Sequence, residues 1–318
     1  MKKHGICIDF GGTEVKVGLF LENKLLETHA YHARVEVAFE DVLFEAKAFI
    51  ETVLFSHGLI WQDLMGIGIA MPGIVHFHNK KLISINEKYD SAIGFDIEGW
   101  VRQHLDLPVI LENDANAALL GEKMIGTIGD AKYAALMIFG TGVGTAVIIE
   151  DKLFRGAHYQ GGCLGGHMIV DYKGRACNCG SIGCLEAQAS TWALPEIAKL
   201  RPEYHMSCLK EIKQPKLKDL VVQAESGDAF SKKLLQEFIE KWSAGIINLI
   251  HAYDPEVIVL SGGILQAGEV ITKPLIERVK TFAWMPNHQV EIVVSHHLKE
   301  SVLYGMQSLI MTELQGEN

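Results

Sequence analysis

Asp9 is separated by one residue, Phe10, from Gly11-Gly12-Thr13, a spacing that could serve to bind the phosphates of a nucleotide. Consecutive backbone N–H groups in a glycine turn can cradle phosphate oxygens. A carboxylate beside such a turn can hold Mg²⁺, directly or through water, as phosphoryl transfer requires. Apolar and polar residues alternate over 6–10 and over 15–19, which predicts two strands joined as a hairpin. The pattern indicates a phosphate-binding hairpin, with a tight turn whose glycines only satisfy positive φ as the alternative.

Two further glycine turns repeat this device. Residues 135–150 again predict a strand, a Gly140-Thr141-Gly142 turn and a strand, laid out like residues 5–20. Ser261-Gly262-Gly263 follows a short apolar run. The repetition favours phosphate binding and predicts a duplicated domain with one such hairpin in each half. The sequence has no G-x-x-x-x-G-K-[ST] motif, so the protein is not a P-loop protein.

A second group of residues, Glu112-Asn113-Asp114-Ala115-Asn116, lies where a strand at 108–112 runs directly into a helix. Asp114 at such a junction can accept the proton of an attacking hydroxyl, as general bases do in kinases. Asn113 can bind a neighbouring hydroxyl and so fix the position of the nucleophile. Helix capping alone is the alternative, because Asn and Asp are favoured N-cap residues.

A third group combines His167 with Cys177, Cys179 and Cys184. Three thiolates and one imidazole are the ligand set of a closed, tetrahedral structural Zn²⁺ site. The alternative, four unrelated core residues, is disfavoured because Cys-x-Cys with a third cysteine five residues later is improbable by chance. The chain shows no export signal, so we expect its cysteines to be reduced.

Alternating strands and helices must position these groups, and they predict an α/β fold. We expect a third strand over 24–34, a helix within 37–58, a strand at 64–73 and a loop or excursion over 77–97. Helices are expected through about 190–252, then strands at 256–264 and near 290–296, and a last helix over 299–314. Because 318 residues exceed the usual size of one core, we predict two domains. The N-terminal domain would span 1–115, completed by the C-terminal helix at about 300–318, and the C-terminal domain would span 116–299.

Composition excludes several classes of protein. A hydrophobic content of 48% with 21% charged residues is typical of a globular protein. A net charge of -10 argues against a nucleic-acid surface, which needs basic patches. No stretch has the roughly 18 uncharged apolar residues of a membrane span. We therefore expect a cytoplasmic protein without nucleic-acid or membrane partners.

In order and together, these motifs resemble those of the ROK family (repressors, open reading frames and sugar kinases) of the actin-like ATPase superfamily. The resemblance spans nearly the whole chain. Its pieces are residues 9–13 (DFGGT), 72–73 (PG), 112–116 (ENDAN), 140–144 (GTGVG), 166–167 (GH), 177–186 (CNCGSIGCLE) and 261–263 (SGG).

The resemblance implies two ribonuclease-H-like α/β domains flanking a cleft, with ATP and Mg²⁺ on one side and a sugar on the other. It implies that Asp114 is the base for the 6-hydroxyl of the sugar. Asn113, His167 and Glu186 would contact other sugar hydroxyls. His167 would also ligate the zinc ion, which would order the substrate wall without performing chemistry.

For the nucleotide, the resemblance implies that residues 11–13 and 140–142 hold phosphates while Gly262-Gly263 lies near the nucleoside. It also implies a homodimer. Repressors of the family carry a helix-turn-helix before the first phosphate motif. Only eight residues precede Asp9 here, and the charge is acidic, so the sequence opposes the regulator hypothesis.

One position departs from the family pattern. ROK hexose kinases usually have Gly-Glu-x-Gly-His before the cysteine ligands, and that Glu binds sugar hydroxyls; this chain has Leu164 in its place. Losing such a charge-assisted bond costs about 1.5–3 kcal/mol. One hypothesis is a sugar substituted at or near C1, such as a β-glucoside, with Leu164 facing the aglycone. The other is that Glu87 or another acid of loop 83–90 supplies the missing carboxylate.

We therefore predict an ATP-dependent kinase that phosphorylates the 6-hydroxyl of a hexose or hexoside. An N-acetylmannosamine kinase or fructokinase of the same family is an alternative. A catalytically weak sugar sensor on the same fold is another. Leu164 gives the sensor some support, whereas Asp9, Asp114 and both glycine turns oppose it.

Overall fold

The computed structural model describes residues 3–85, 88–297 and 300–314. The chain forms two compact units, one drawn from the ranges 1–129, 155–161 and 299–318 and the other from 130–154 and 162–298. They are called unit 1 and unit 2 below. These units are groups of residues that pack together. The domain boundaries predicted from the sequence, at 115/116 and at about 299/300, stay predictions.

Strands and helices alternate along most of the described chain. In order they are β1 (His4–Phe10), β2 (Glu14–Leu21), β3 (Lys24–His32), α1 (Phe39–Ser56), β4 (Leu64–Met71), β5 (Ile74–His76), β6 (Lys81–Ser84), α2 (Ile97–Leu105), β7 (Val109–Asn113), α3 (Asp114–Ile125), β8 (Ala134–Phe139), β9 (Val143–Ile149), β10 (Lys152–Leu153), α4 (Leu185–Ala189), α5 (Leu194–Lys199), α6 (Leu217–Glu225), α7 (Ala229–Tyr253), β11 (Val257–Ser261), α8 (Glu269–Phe282), β12 (Glu291–Val294) and α9 (Ser301–Leu314).

Unit 1 is built on a five-stranded mixed sheet in the order β3-β2-β1-β4-β7. β1 pairs antiparallel with β2 as the predicted hairpin and parallel with β4, which in turn pairs parallel with β7. β1, β4 and β7 are almost entirely buried, which explains why they are short and nearly continuous in apolar residues. The parallel arrangement brings the carboxyl ends of these three strands to one edge of the sheet.

The sheet of unit 2 repeats this plan. Its order is β10-β9-β8-β11-β12, with β8 antiparallel to β9 and parallel to β11, and with β11 parallel to β12. β8 and β9 therefore correspond to β1 and β2, as the repeated strand–turn–strand pattern predicts. The two mixed sheets with their covering helices confirm the α/β fold class.

The C-terminal helix α9 belongs to unit 1, where it packs against α3, β1 and β4. The approach to α3 is close, because a Cβ added at Gly305 would lie 1.7 Å from the carbonyl oxygen of Ala117. Unit 2 has a separate apolar core, in which Trp242 and Phe238 of α7 are fully buried. No described helix, including the 25-residue α7, is both long and apolar enough to cross a membrane.

Several predicted bounds differ from the structure, and the strands expected at 64–73 and 256–264 end at Met71 and Ser261. The third strand ends at His32 and not at Arg34. The expected excursion over 77–97 contains β6 and ends at Ile97, the first residue of α2, and β6 pairs with β5 to form a small separate sheet. β6 is four residues long and buries only Leu82, so alternation gave too weak a signal. Lys299, predicted as the start of the last helix, lies outside the described residues.

Candidate active site

Asp9 lies at the buried carboxyl end of β1, opposite Lys16 of β2. Lys16 Nζ is 3.3 Å from Asp9 Oδ2. Burial raises the pKa of the Asp9 carboxyl, and the Lys16 ammonium opposes that shift. A carboxylate buried with a single cation beside it fits a Mg²⁺ site, since Mg²⁺ is usually held by one or two protein carboxylates together with phosphates.

The turn between β1 and β2 carries backbone N–H groups without acceptors among the described residues. Gly11 donates its N–H to the Asp9 carbonyl oxygen at 3.1 Å, whereas the N–H groups of Gly12 and Thr13 have no acceptor among the described residues. Gly11 is required by space, because a Cβ there would lie 2.6 Å from the carbonyl oxygen of Glu14. Two adjacent unpaired N–H groups in an exposed turn can receive phosphate oxygens.

Asp114 is the first residue of α3 and directly follows β7. Its Oδ1 accepts the N–H of Ala115 at 2.8 Å and the side-chain amide of Asn113 at 3.0 Å. Oδ2 accepts no hydrogen bond from the described residues, and the side chain is partly exposed. Burial first and the Asp9 charge second raise the pKa of Asp114 to about 7, although the hydrogen bonds and the Lys88 ammonium act against them. A carboxyl that titrates near neutral pH suits a general base.

Strand register explains why Asp9 and Asp114 are neighbours. Asp9 pairs with Ala70 of β4, and Ala70 pairs with Glu112 of β7, so the three residues form one row across the sheet. Asp114 follows two residues later at the same edge. The structure therefore brings the predicted magnesium ligand, the first glycine turn and the predicted base together within unit 1.

Asn113 is the N-cap of α3, as the capping hypothesis expects. Its Oδ1 accepts the N–H of Asn116 at 3.0 Å, and its side-chain amide donates to the Gly73 carbonyl oxygen at 2.9 Å and to Asp114. Capping does not exclude contact with a ligand, because an amide oxygen has a second lone pair. Pro72-Gly73 is thus tied to the strand–helix junction.

Glu112 is fully buried and forms an ion pair with Arg155, whose Nη2 is 2.6 Å from Glu112 Oε2. Its Oε1 accepts the N–H of Asn113 at 2.9 Å and the side-chain amide of Asn116 at 3.0 Å. The guanidinium of Arg155 also lies over the ring of Phe77, 3.9 Å from its centroid. This network fixes the junction that carries Asp114.

In unit 2 the second glycine turn has the same open N–H groups. Gly140 donates to the Gly142 carbonyl oxygen at 3.0 Å, and the Thr141 carbonyl oxygen accepts the N–H of Trp192 at 3.1 Å. The N–H groups of Thr141 and Gly142 have no acceptor in the described part of the chain. The turn therefore offers the same pair of donors as residues 12–13.

Glu186, in α4, supports this second turn. Its Oε2 accepts the N–H of Val143 at 2.8 Å and its Oε1 accepts the indole N–H of Trp192 at 3.1 Å. The carboxylate fills the space beside Gly142, where an added Cβ would lie 2.2 Å from Oε2. The role of Glu186 in sugar binding stays a prediction, and its contacts add a role in holding the glycine turn.

The third glycine turn lies at the same edge of the unit 2 sheet. Gly262 has φ +114°, and a Cβ there would lie 2.1 Å from the carbonyl oxygen of Phe139, the residue before Gly140. Gly263 is exposed and has open space beside it. The second and third turns are thus adjacent.

His167, Cys177, Cys179 and Cys184 form one cluster in unit 2. Their ligand atoms all lie within 4.8 Å of one another, with 3.6 Å between His167 Nδ1 and Cys177 Sγ and 3.6 Å between Cys179 Sγ and Cys184 Sγ. Tetrahedral zinc with bonds of about 2.0–2.3 Å requires neighbouring ligand atoms about 3.3–3.8 Å apart. The cluster fits a metal ion of this kind.

Leu164 directly precedes the short 3₁₀ turn Gly165–His167. Its carbonyl oxygen accepts the His167 N–H at 2.9 Å, and its side chain is partly exposed. A partly exposed apolar residue is therefore joined through its backbone to His167, a predicted sugar-binding residue. Glu87, offered above as a substitute acid, lies outside the described residues.

The basic residues that accompany these acids were not predicted from the sequence. Lys16 could have been found from the hairpin register, which places it opposite Asp9. Arg155 and Lys88 gave no local signal, because Arg155 pairs with Glu112, and the charge of Lys88 acts on Asp114, from a distant segment of the chain.

Comparison with known proteins decides the family. The family model described as "ROK family" matches residues 5–313. The chain belongs to the ROK family. A glucokinase of Thermotoga maritima is 30% identical over 98% of this chain and 98% of its own length. A β-glucoside kinase of Listeria innocua is 27% identical over 84% of this chain and 85% of its own length.

The similar proteins also include regulators. A xylose repressor of Caldicellulosiruptor bescii is 28% identical over 80% of this chain but only 64% of its own length. Among solved structures, a ROK hexokinase of Thermus thermophilus has a TM-score of 0.81 at 26% identity, covering 98% of this chain and 99% of that one. A ROK glucokinase of Streptomyces griseus, in complex with glucose and AMPPNP, has a TM-score of 0.79 at 26% identity, covering 96% and 98%.

Proposed function

We propose that this ROK protein is an ATP-dependent sugar kinase that transfers the γ-phosphoryl group to the 6-hydroxyl of a hexose or hexoside. The Asp114 carboxyl is the observation that carries the proposal. Its Oδ2 is unpaired within the described residues, its pKa is raised to about 7, and the Asp9 carboxyl and the first glycine turn lie at the same edge. A sensor that only binds sugar has no need of such a base.

Each glycine turn would hold phosphate oxygens through its two unpaired N–H groups. These are the groups of Gly12 and Thr13 in unit 1 and of Thr141 and Gly142 in unit 2, with Gly262 and Gly263 near the nucleoside. Asp9 would hold Mg²⁺, which supplies positive charge to the triphosphate when bound.

The reaction needs a hydroxyl oxygen that is freed of its proton as it attacks phosphorus. Asp114 Oδ2 would accept that proton, while Oδ1 stays fixed by the N–H of Ala115 and the amide of Asn113. Asn113, His167 and Glu186 would contact the other sugar hydroxyls and orient the acceptor. His167 suits this role because its Nδ1 faces the cysteine cluster, which leaves Nε2 for a hydroxyl.

The Cys/His cluster would hold Zn²⁺ as a structural ion. Four protein ligands close the coordination shell, so the ion would order the segment that carries His167 and perform no chemistry itself. We also propose a homodimer, which the family resemblance implies, and a cytoplasmic location, which suits an ATP-dependent kinase.

The acceptor sugar is proposed to carry a substituent at or near C1, as in a β-glucoside. Leu164 stands where family hexose kinases usually have a Glu whose carboxylate binds sugar hydroxyls. Its apolar side chain suits an aglycone. The similarity to a β-glucoside kinase supports this choice, while the similarity to glucokinases keeps free glucose as the second candidate. N-acetylmannosamine and fructose complete the set of candidates.

A coupled assay of ADP release tests the proposal. The enzyme is offered glucose, mannose, fructose, N-acetylmannosamine, cellobiose and an aryl β-glucoside in turn, with a no-sugar control. We expect sugar-dependent ADP release, fastest with a β-glucoside. Asp114→Asn should lower kcat at least 100-fold while sugar binding, followed by calorimetry, remains measurable. Sugar binding without turnover in the unaltered protein would refute the kinase and support the sensor.

A further inference from the structure

Lys88 stands over the first glycine turn in unit 1. A Cβ added at Gly12 would lie 2.2 Å from Lys88 Nζ and 2.5 Å from its Cε, so the ammonium and the end of the side chain occupy the space directly beside the Gly12 backbone. Gly12 is also one of the two residues whose N–H groups have no acceptor among those described. A cation thus lies beside a residue whose backbone N–H group has no acceptor among the described residues.

The residue after Lys88 fixes this placement. Tyr89 is completely buried, and its ring packs edge-on against Phe10 and Phe39. Its hydroxyl donates to the Gly11 carbonyl oxygen at 2.9 Å, and its N–H donates to the carbonyl oxygen of Val35. The backbone next to Lys88 is therefore anchored both to the core and to the turn itself.

The charges around the turn leave Lys88 available for a ligand. Lys16 is committed to Asp9, at 3.3 Å. Lys88 forms no ion pair within 4.0 Å in the described part of the chain, although its charge acts on the Asp114 carboxyl. Two carboxylates at one edge repel an incoming phosphate, and among the described residues at the turn Lys88 is a cation without an ion-pair partner.

We propose that Lys88 binds the transferring phosphoryl group above the Gly11-Gly12 turn and stabilises its charge in the transition state. The inference rests on the proposed kinase function. In the step, a bond forms from the sugar hydroxyl oxygen to the γ-phosphorus, and the bond from that phosphorus to the bridging oxygen breaks. The bridging oxygen leaves with ADP and the hydroxyl proton goes to Asp114. Lys88 keeps its proton and donates hydrogen bonds to the non-bridging oxygens throughout.

The matched variants are Lys88→Ala, Lys88→Arg and Lys81→Ala. Lys81 lies exposed on β6 in the same segment and serves as the control for loss of a charge. We expect Lys88→Ala to lower kcat about 100-fold, as loss of one preorganised charge-stabilising donor does. The KM for sugar should change less than about threefold. Lys88→Arg should recover at least a tenth of the activity, and Lys81→Ala should match the unaltered enzyme.

Nucleotide binding separates this role from a merely structural one. Calorimetric titrations with Mg²⁺·AMPPNP and with Mg²⁺·ADP should show about a tenfold weaker affinity of Lys88→Ala for AMPPNP and no change for ADP, because only AMPPNP has a γ-phosphate. The acidic limb of kcat/KM should also move to higher pH in Lys88→Ala, since the Lys88 charge lowers the pKa of Asp114. Equal loss for both nucleotides, or unaltered kcat, would overturn the proposal.

The two proposals fail in different ways. If the unaltered protein releases no ADP with any sugar, the kinase function is refuted, and the AMPPNP and ADP titrations alone decide whether Lys88 binds a γ-phosphate. If the unaltered protein is active and Lys88→Ala equals it, only the role of Lys88 is refuted.

Discussion

At the scale of single residues, the charge of Asp114 is costly for the folded chain. Its pKa is raised to about 7, chiefly by burial and then by the Asp9 charge. In an unfolded chain the pKa of the same carboxyl is about 3.9. The folded protein therefore binds this proton more tightly than the unfolded protein does, and that difference makes stability depend on pH.

The sign follows from the raised pKa. The stability linked to Asp114 is fully present below about pH 4 and is lost as pH rises to about 7, where the ionised carboxylate must be kept in the fold. Asp114→Asn removes that cost and keeps an oxygen for the Ala115 N–H. We expect the variant to be more stable than the unaltered protein at pH 8, by at most about 4 kcal/mol, and equally stable at pH 4.

Thermal or urea unfolding at the two pH values measures the difference. Asp130→Asn, at an exposed position, is the matched control and should change stability little at either pH. If Asp114→Asn destabilised the protein at pH 8, the carboxylate would be stabilising in the fold. The pKa would then have to lie below its usual value.

At the scale of elements, the junction of β7 and α3 depends on a buried ion pair. Glu112 is 1% exposed and its pairing with Arg155 compensates a charge that would otherwise be costly. The same carboxylate accepts the Asn113 N–H and the Asn116 side chain. Arg155 therefore positions the segment that carries Asp114 without contacting the reacting groups.

Arg155→Met should destabilise unit 1 by about 3–5 kcal/mol, because it leaves the Glu112 charge buried and unpaired. The double variant Glu112→Gln/Arg155→Met should recover part of that loss, since no buried charge remains. Arg102→Met, which removes an exposed pairing with Glu98, is the control and should cost less than about 1 kcal/mol. Denaturant unfolding of the four proteins measures these values. A double variant no more stable than Arg155→Met would show that packing on Phe77, rather than charge, accounts for the loss.

The elements also show what the sequence could and could not reveal. Alternation around Gly11-Gly12 and Gly140-Thr141-Gly142 was enough to predict both hairpins, and the apolar run before Glu112 predicted β7 within one residue of its bounds. The sheet order was beyond prediction, because parallel neighbours such as β1 and β4 are far apart along the chain.

The residues of the candidate site likewise fall into those that the sequence predicted and those that it did not. Asp9, Asp114 and the cysteine cluster were predicted because their chemistry depends on local spacing. Arg155 and Lys88 were missed because tertiary packing alone brings them to their acids, from segments about 43 and 26 residues distant from Glu112 and Asp114. Residues that are brought together only by tertiary packing produce no periodic pattern in the sequence.

At the scale of the whole molecule, the two units have separate apolar cores. The core of unit 1 gathers around β1, β4, α1 and α9, and that of unit 2 around β8, β11 and α7. The Cys/His cluster belongs to unit 2 alone, where Trp192 packs beside Cys177 and Cys184. We therefore expect a bound metal ion to order unit 2 first.

Removal of the metal is the measurement that tests this. Purified protein should contain about one zinc ion per chain by elemental analysis, because four ligands in the tetrahedral spacing of the cluster form one closed site. After treatment with a chelator, hydrogen exchange should rise in peptides covering 165–190, since a structural zinc ion contributes directly to folding free energy. Peptides of β1 and β4, in the core of unit 1, should exchange as before.

Cys179→Ser and Cys208→Ser distinguish the effect of losing a metal ligand from the effect of losing any exposed cysteine. Both residues are exposed, but only Cys179 belongs to the cluster. Cys179→Ser should lose the zinc and reproduce the exchange of the chelated protein, whereas Cys208→Ser should keep both zinc content and exchange unchanged. A protein that holds no zinc, yet protects residues 165–190 as fully as before, would mean that the backbone hydrogen bonds from Cys177 to Ser181 and from Gly183 to Arg175 are sufficient to order the segment. The arrangement of the four ligands would then follow from chain packing and not from a metal.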